Sequence, residues 1–163
     1  MRILFLCSDN ACLGPMAEGW ARWLKPTRLD VVAAGVTVGR RDSLAVRVMA
    51  ECGIDIHRLP LRSLAEVADR RFDLVIALST DAHLALPALP GDPRVLFLDI
   101  VDPRPRMNGS NLRLEPARIL ERYRSARDEI RDFIETLPEG LVPVNQKYYW
   151  VQPEFLQPAE PRN

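Results

Sequence analysis

The chain has 163 residues, enough for a single domain that buries about two-thirds of its unfolded surface without a metal or disulfide staple. Apolar residues make up 47% and charged residues 27%, a globular rather than a disordered composition. Lys+Arg and Asp+Glu both number 22, and this zero net charge argues against a nucleic-acid-coating or polybasic membrane protein.

The chain alternates strand with helix. Ile3–Leu6 is a continuous apolar run, as expected of a strand covered on both faces. It is too short and too soon interrupted for a signal peptide, and no apolar run approaches the ~18 residues of a membrane span. Cys7 to Gly14 reads as a loop. Pro15 suits a first helical residue, and the helix continues through Ala17, Trp20 and Trp23 to Leu24. Leu29 to Ala34 is a second strand, stopped by Gly35. Asp42 or Ser43 caps a helix that ends near Gly53. A shorter helix is expected from Ser63 to Arg70, a third strand at Leu74–Leu78 and a fourth at Val95–Leu98. The longest helix runs from Pro116 to Leu137, with Ile119, Tyr123, Ala126, Ile130, Phe133 and Ile134 as its apolar stripe. This order predicts an α/β three-layer sandwich, a four-stranded parallel sheet with helices on both faces.

Residues 1–137 are therefore expected to form the domain and residues 138–163 an extended tail. Pro138, Pro143, Pro153, Pro158 and Pro161 fall in that tail, with Tyr148, Tyr149, Trp150 and Phe155. It shows neither helical nor alternating period. A disordered terminus and docking of its aromatic cluster, on this domain or on a partner, are both open. The three cysteines, Cys7, Cys12 and Cys52, are odd in number. With no export signal they read as thiols of a cytoplasmic protein. His57 and His83 lack a metal-ligand pattern, so neither a metal nor another cofactor is expected.

In a doubly wound sheet, ligands bind at the carboxyl ends of the strands. The loop after the first strand is Cys7-Ser8-Asp9-Asn10-Ala11-Cys12-Leu13-Gly14, followed by Pro15-Met16-Ala17-Glu18. A loop wrapped before a helix N-terminus gathers backbone N–H groups at one point, which favours an anion and lowers the pKa of a thiol at its base. Here the sequence resembles the low-molecular-weight protein tyrosine phosphatase superfamily, and more closely its arsenate reductase branch. The family loop is C-x-x-N-x-C-R-S followed by x-M-A-E; Cys7, Asn10, Cys12, Met16, Ala17 and Glu18 match. Ala34-Gly35, Gly53-Ile54-Asp55-Ile56, Phe72-Asp73-Leu74-Val75-Ile76, Leu89-Pro90-Gly91, Asp102-Pro103 and Arg127-Asp128-Glu129-Ile130 extend the likeness over roughly residues 1–137.

The resemblance implies that Cys7 is the nucleophile toward phosphorus or arsenic and Asp102 the general acid. It also implies that Ser8, Asp9, Asn10, Ala11, Cys12, Leu13 and Gly14 line the anion-binding loop. The plain alternative for Asp102 is a turn aspartate before proline. Two positions depart from the pattern. Leu13 stands where the family has its oxyanion-gripping arginine, and Gly14 where it has the thiolate-stabilising hydroxyl. Loss of an arginine at a phosphoryl transition state is commonly worth ~10³–10⁵ in rate. The thiol pKa of Cys7 is accordingly expected to rise back toward the free value. Ser79 and Leu86 stand where the thioredoxin-coupled reductases carry two further cysteines.

The expected function is a phosphatase- or arsenate-reductase-like pseudo-enzyme, a binding or regulatory module engaging a protein partner through the pocket or the Tyr148–Phe155 tail. One alternative is an active thiol enzyme on phosphate, arsenate or another oxyanion, with charge supplied by Arg40, Arg41, Arg104 or Arg106. A second is a redox sensor built on Cys7 and Cys12. Neither nucleic acid nor membrane is an expected partner.

Overall fold

The computed structural model describes residues 1–105, 115–139, 141 and 148–150. Four strands run parallel: β1 (Arg2–Cys7), β2 (Asp30–Gly35), β3 (Leu74–Ala77) and β4 (Arg94–Leu98), in the spatial order β2-β1-β3-β4. This is the expected parallel sheet. β5 (Tyr148–Trp150) extends it by pairing antiparallel with β4, Leu96 opposite Trp150 and Leu98 opposite Tyr148. Three aromatic residues carry no alternation long enough to announce a strand, and their partner lies some fifty positions away.

The apolar run of β1 is buried throughout because the sheet is covered on both sides. Ile3, Phe5 and Cys7 face a layer formed by α1 (Leu13–Leu24), α2 (Ser43–Ala50) and α4 (Pro116–Glu135). Leu4 and Leu6 face the other layer, with Phe72, Ala82, Leu86 and Phe97, where α3 (Thr80–Leu84) lies. Full burial of each such aliphatic side chain contributes about 1.5–3 kcal/mol. The first layer is tied together by polar contacts as well. Trp20 Nε1 donates to the Arg127 carbonyl at 3.1 Å, and Arg127 Nη1 donates to the Val48 carbonyl at 3.0 Å.

The helix expected from Ser63 to Arg70 is only a 3-10 turn at Leu64–Glu66. A capping box starts it, with the Glu66 carboxylate accepting from the Ser63 N–H at 2.7 Å and the Ser63 hydroxyl at 2.9 Å. Val67 then leaves helical geometry (φ −126°, ψ −2°) and its side chain is wholly buried in the core. α1 begins at Leu13, two residues before Pro15, so the last loop positions already belong to the helix. α2 takes the expected cap, Asp42 Oδ1 accepting from Leu44 N at 2.9 Å and Ala45 N at 3.2 Å. Arg106 and Phe155, with most of the 138–163 segment, lie outside the described residues. No described helix is long and apolar enough to cross a membrane.

Candidate functional site

β1 is bonded to β2 on one side and β3 on the other, so the strand order reverses beside it. That reversal opens a crevice at the carboxyl ends of the strands. Cys7 is the last residue of β1, in register with Gly35 at the end of β2. Gly35 has a steric reason: a Cβ there would lie 2.2 Å from the Thr37 carbonyl oxygen and 2.6 Å from Asn10 N. The loop after Cys7 is zipped to the segment after β2. Val36 N donates to Cys7 O at 3.0 Å, Thr37 N to Ser8 O at 2.9 Å and Gly39 N to Asp9 O at 2.7 Å.

Asn10 turns the loop. It adopts a left-handed φ of 51°, a conformation asparagine tolerates better than most residues. Its Nδ2 donates to the Ala33 and Arg62 carbonyls, both at 3.3 Å. Ser8 and Ser79 share a hydroxyl–hydroxyl hydrogen bond of 3.0 Å, and Ser79 also caps α3. Glu18, part of the matched motif, is a brace rather than a pocket group. It is buried, accepts from Ala33 N at 2.9 Å and from Arg22 Nη2 at 2.7 Å, and pairs with Arg62 at 3.5 Å.

The Cys7 thiol is buried, and Sγ lies 3.7 Å from the Ala34 carbonyl oxygen to which it donates. Burial pushes its pKa from an ordinary 9.0 up to about 12. Hydrogen bonds from the Asn10 and Gly14 backbone N–H groups oppose this, Asp9 adds to it and Arg104 counters it, all more weakly than burial. The thiol is therefore protonated at neutral pH, well beyond the free value anticipated from the loss of the loop arginine. Cys12, at the uncapped start of α1, is also pushed up, first by burial and then by Asp42 and Asp102.

Leu13 brings no charge to the loop. Its side chain is buried in the core cluster with Cys12 and Met16. Gly14 leaves a tight gap. A Cβ there would lie 2.4 Å from Asn10 Oδ1 and 2.9 Å from Cys7 Sγ. Asn10 Oδ1 is buried and has no hydrogen-bond partner among the described residues.

Asp102 stands on the loop after β4, on the same edge as Cys7. The two loops are joined by Arg104. Its Nε contacts both Asp102 carboxylate oxygens at 3.0 and 3.1 Å, its Nη2 reaches Asp102 Oδ2 at 2.5 Å, and its Nη1 reaches Asp9 Oδ2 at 2.5 Å. The Arg104 backbone N–H adds a bond to Asp102 Oδ1 at 2.9 Å. Both carboxylates hold the guanidinium more firmly charged than usual, Asp102 most strongly. In each of these contacts with Arg104, Asp102 accepts the hydrogen bond.

Of the other arginines that could supply charge, Arg41 donates to the Ile56 carbonyl at 2.7 Å and to the Leu59 carbonyl. Arg40 is exposed on the segment after β2. Behind Cys12, the Tyr123 hydroxyl donates to Asp42 Oδ2 at 2.7 Å. Burial first, then Asp42, raises the Tyr123 pKa above its ordinary range. Among the described residues, no group of three or more His, Cys, Asp or Glu could hold a metal ion.

Arg104 is among the four arginines the sequence offers as a source of charge, but its pairing with Asp102 and Asp9, and the roles of Tyr123 and the Asp9 side chain, are not evident from the sequence. For Asp9 a signal existed: a carboxylate inside a loop shaped for anions is out of place electrostatically. Tyr123 falls in the apolar stripe of α4, and nothing local in the sequence distinguishes its hydroxyl.

The comparisons with known proteins agree with the fold. The chain is 31% identical over 137 residues to an arsenate reductase of Halalkalibacterium halodurans, covering 84% of this chain and 94% of that one. A solved low molecular weight protein tyrosine phosphatase from T. tengcongensis is 28% identical, with a TM-score of 0.65 over 86% of this chain and 99% of its own. An arsenate reductase in its phosphate binding state shares the fold at 24% identity and a TM-score of 0.64, over 83% and 95% of the two chains. The family model of the low molecular weight phosphotyrosine protein phosphatases matches residues 2–147, and the chain belongs to that family.

Proposed function

We propose that this protein is a catalytically impaired member of its family, retaining the oxyanion pocket as a binding or regulatory module rather than as a working phosphatase or arsenate reductase. The observation that carries the reading is the state of the loop. The nucleophile position holds a buried thiol whose pKa is pushed up to about 12, and the residue that should bring a cation to it is a leucine packed in the core. Thiolate nucleophiles require the deprotonated form, and phosphoryl transfer depends on positive charge at the equatorial oxygens. Asp102 supports the same reading, because it must release Arg104 before it can donate a proton.

The relatives' arsenate reductase and tyrosine phosphatase activities name the chemistry this pocket descends from. The redox alternative is disfavoured by burial of both Cys7 and Cys12 and by the raised pKa of each. The deciding experiment is turnover of an aryl phosphate, and separately of arsenate with a small thiol, by the parent chain and by Cys7→Ser. Rates at or near those of the Cys7→Ser background are expected. Cys7-dependent turnover comparable to family enzymes would overturn the proposal.

A further inference from the structure

We propose that Arg104 is the oxyanion-binding cation of this pocket, transferred from the loop to the Asp102 segment, and that Asp9 is an internal competitor that a tetrahedral oxyanion displaces. The inference deepens the reading above by naming the ligand class of the pocket and the residues that select it.

The argument begins with charge. The loop itself contributes no cation, because Leu13 is buried in the core. Arg104 reaches the loop from 95 positions away and sets Nη1 on Asp9 Oδ2. Its positive charge is felt at the thiols of both Cys7 and Cys12, where it favours the anionic form. Through Asp9 it is tied to the loop, where a bound anion would need a countercharge.

Asp9 already behaves as a seated anion. One carboxylate oxygen takes the Ala11 backbone N–H at 3.2 Å and the other takes Arg104. An oxyanion presents the same pair of acceptors, one for loop N–H groups and one for a guanidinium. The trio Asp9, Arg104 and Asp102 sums to one negative charge, so a dianion cannot join it while both carboxylates stay in place. Asp9 is the one to leave. Its side chain holds Arg104 through a single N–H, whereas Asp102 holds it through Nε and Nη2 together and also takes the Arg104 backbone N–H. The side chains of Asp9 and Arg104 are each about one-third exposed, at 27% and 33%, so the exchange requires no rearrangement of the core.

The test is calorimetric titration of the full chain with inorganic phosphate, and separately with phenyl phosphate to distinguish free oxyanion from phosphomonoester. Asp9→Asn keeps an acceptor for Ala11 N–H and removes the competing charge. It is expected to tighten phosphate binding by roughly ten- to a hundredfold. Adding Arg104→Met to Asp9→Asn should abolish that gain, and Arg104→Lys should restore part of it as a point charge without the fork. Asp9→Ser serves in place of Asp9→Asn if circular dichroism shows the latter misfolded. Less than a threefold gain on neutralising Asp9, or a gain that survives Arg104→Met, overturns the proposal. These outcomes are separable from the reading of impairment. Cys7-dependent turnover would overturn impairment and leave the Arg104 assignment intact. Unchanged phosphate affinity across the variants would do the reverse.

Discussion

Gly14 and Asn10 are matched by an absence. A Cβ on Gly14 would lie 2.4 Å from Asn10 Oδ1, and that oxygen is buried with no hydrogen-bond partner among the described residues. The Nδ2 end of the same side chain is satisfied by two carbonyls, which fixes the orientation of the amide. Glycine at 14 thus keeps room for Asn10 while leaving one of its acceptors unmet.

This relationship predicts opposite contributions from a methylene and a hydroxyl. Gly14→Ala should destabilise by about 1–3 kcal/mol, because Asn10 Oδ1 and Cys7 Sγ must both give way. Gly14→Ser adds the same crowding but also a donor for Asn10 Oδ1, and should be more stable than Gly14→Ala by about 1 kcal/mol. Urea unfolding midpoints of the two variants decide it. Equal midpoints would mean that the orphaned oxygen cannot be reached from position 14.

The thiol of Cys7 predicts a pH profile. Its folded-state pKa is raised from 9.0 to about 12, so between those values the native state holds a proton that the unfolded chain releases. The stability tied to this group is fully present below pH 9 and is lost as pH rises toward 12. Peptide-resolved alkylation should show Cys7 nearly inert through pH 9, with the less buried Cys52 reacting first. Rapid Cys7 modification at pH 7 in folded protein would contradict the assignment.

How much of this was legible beforehand follows from where the information lies. The buried runs of β1, β3 and β4 are read from apolarity alone, because parallel strands covered on both faces need no alternation. The loop's position at the carboxyl edge follows from strand–helix alternation. β5 was not legible, since a three-residue strand is defined by its partner rather than by its own pattern. The Ser63 helix failed for a tertiary reason, the core's demand on Val67. At the site, Leu13 and Gly14 stood out against the family pattern, but the sequence does not say that Leu13 turns into the core. The Arg104–Asp9 contact joins residues 95 positions apart, and no local rule connects them.

Tyr123 and Asp42 form a second unit worth separating by mutation. The Tyr123 hydroxyl donates to Asp42 Oδ2 while Asp42 Oδ1 caps α2. Tyr123→Phe should cost about 1.5–3 kcal/mol, the value of a buried bond to a charged acceptor. Asp42→Ala removes the cap as well and should cost roughly 1 kcal/mol more. The double variant should be no worse than the sum less the shared bond, a coupling readable from thermal unfolding as a double-mutant cycle. Additive losses would show that the hydroxyl and carboxylate do not act on one another.

Glu51 links α2 to α4 through Arg124 at 2.8 Å and Arg127 at 3.1 Å. The hydrogen bond from Arg124 does most to hold its pKa down to about 2 from an ordinary 4.5. A depressed folded-state pKa contributes stability above the unfolded value and loses it as pH falls through the folded one. The advantage of the parent chain over Glu51→Gln should therefore shrink steadily between pH 4.5 and 2 and be reduced by salt. A difference independent of pH over that window would assign the effect to packing instead.

The last prediction concerns restoring chemistry at Leu13. Pairing Leu13→Arg with Gly14→Ser would mix a gain in charge with crowding against Cys7 Sγ and Asn10 Oδ1. Leu13→Arg alone is the cleaner variant. It gives up a buried side chain, so stability should fall by about 2–4 kcal/mol. If the guanidinium swings from the core side to the mouth of the loop, it meets phosphoryl oxygens in a fork and lowers the Cys7 pKa directly. Turnover of an aryl phosphate should then rise at least about tenfold, mainly in kcat, because the charge it meets develops in the transition state. The gain should vanish when Cys7→Ser is added. Asp102→Asn in the same background should cost a further ~10²–10⁴ if Asp102 donates the proton. Arg104→Met in that background should release Asp102 from its fork, separating its two roles of ion-pair partner and acid. A rise below about tenfold in a variant shown to be folded would mean that the buried thiol, and not the missing arginine, holds activity down.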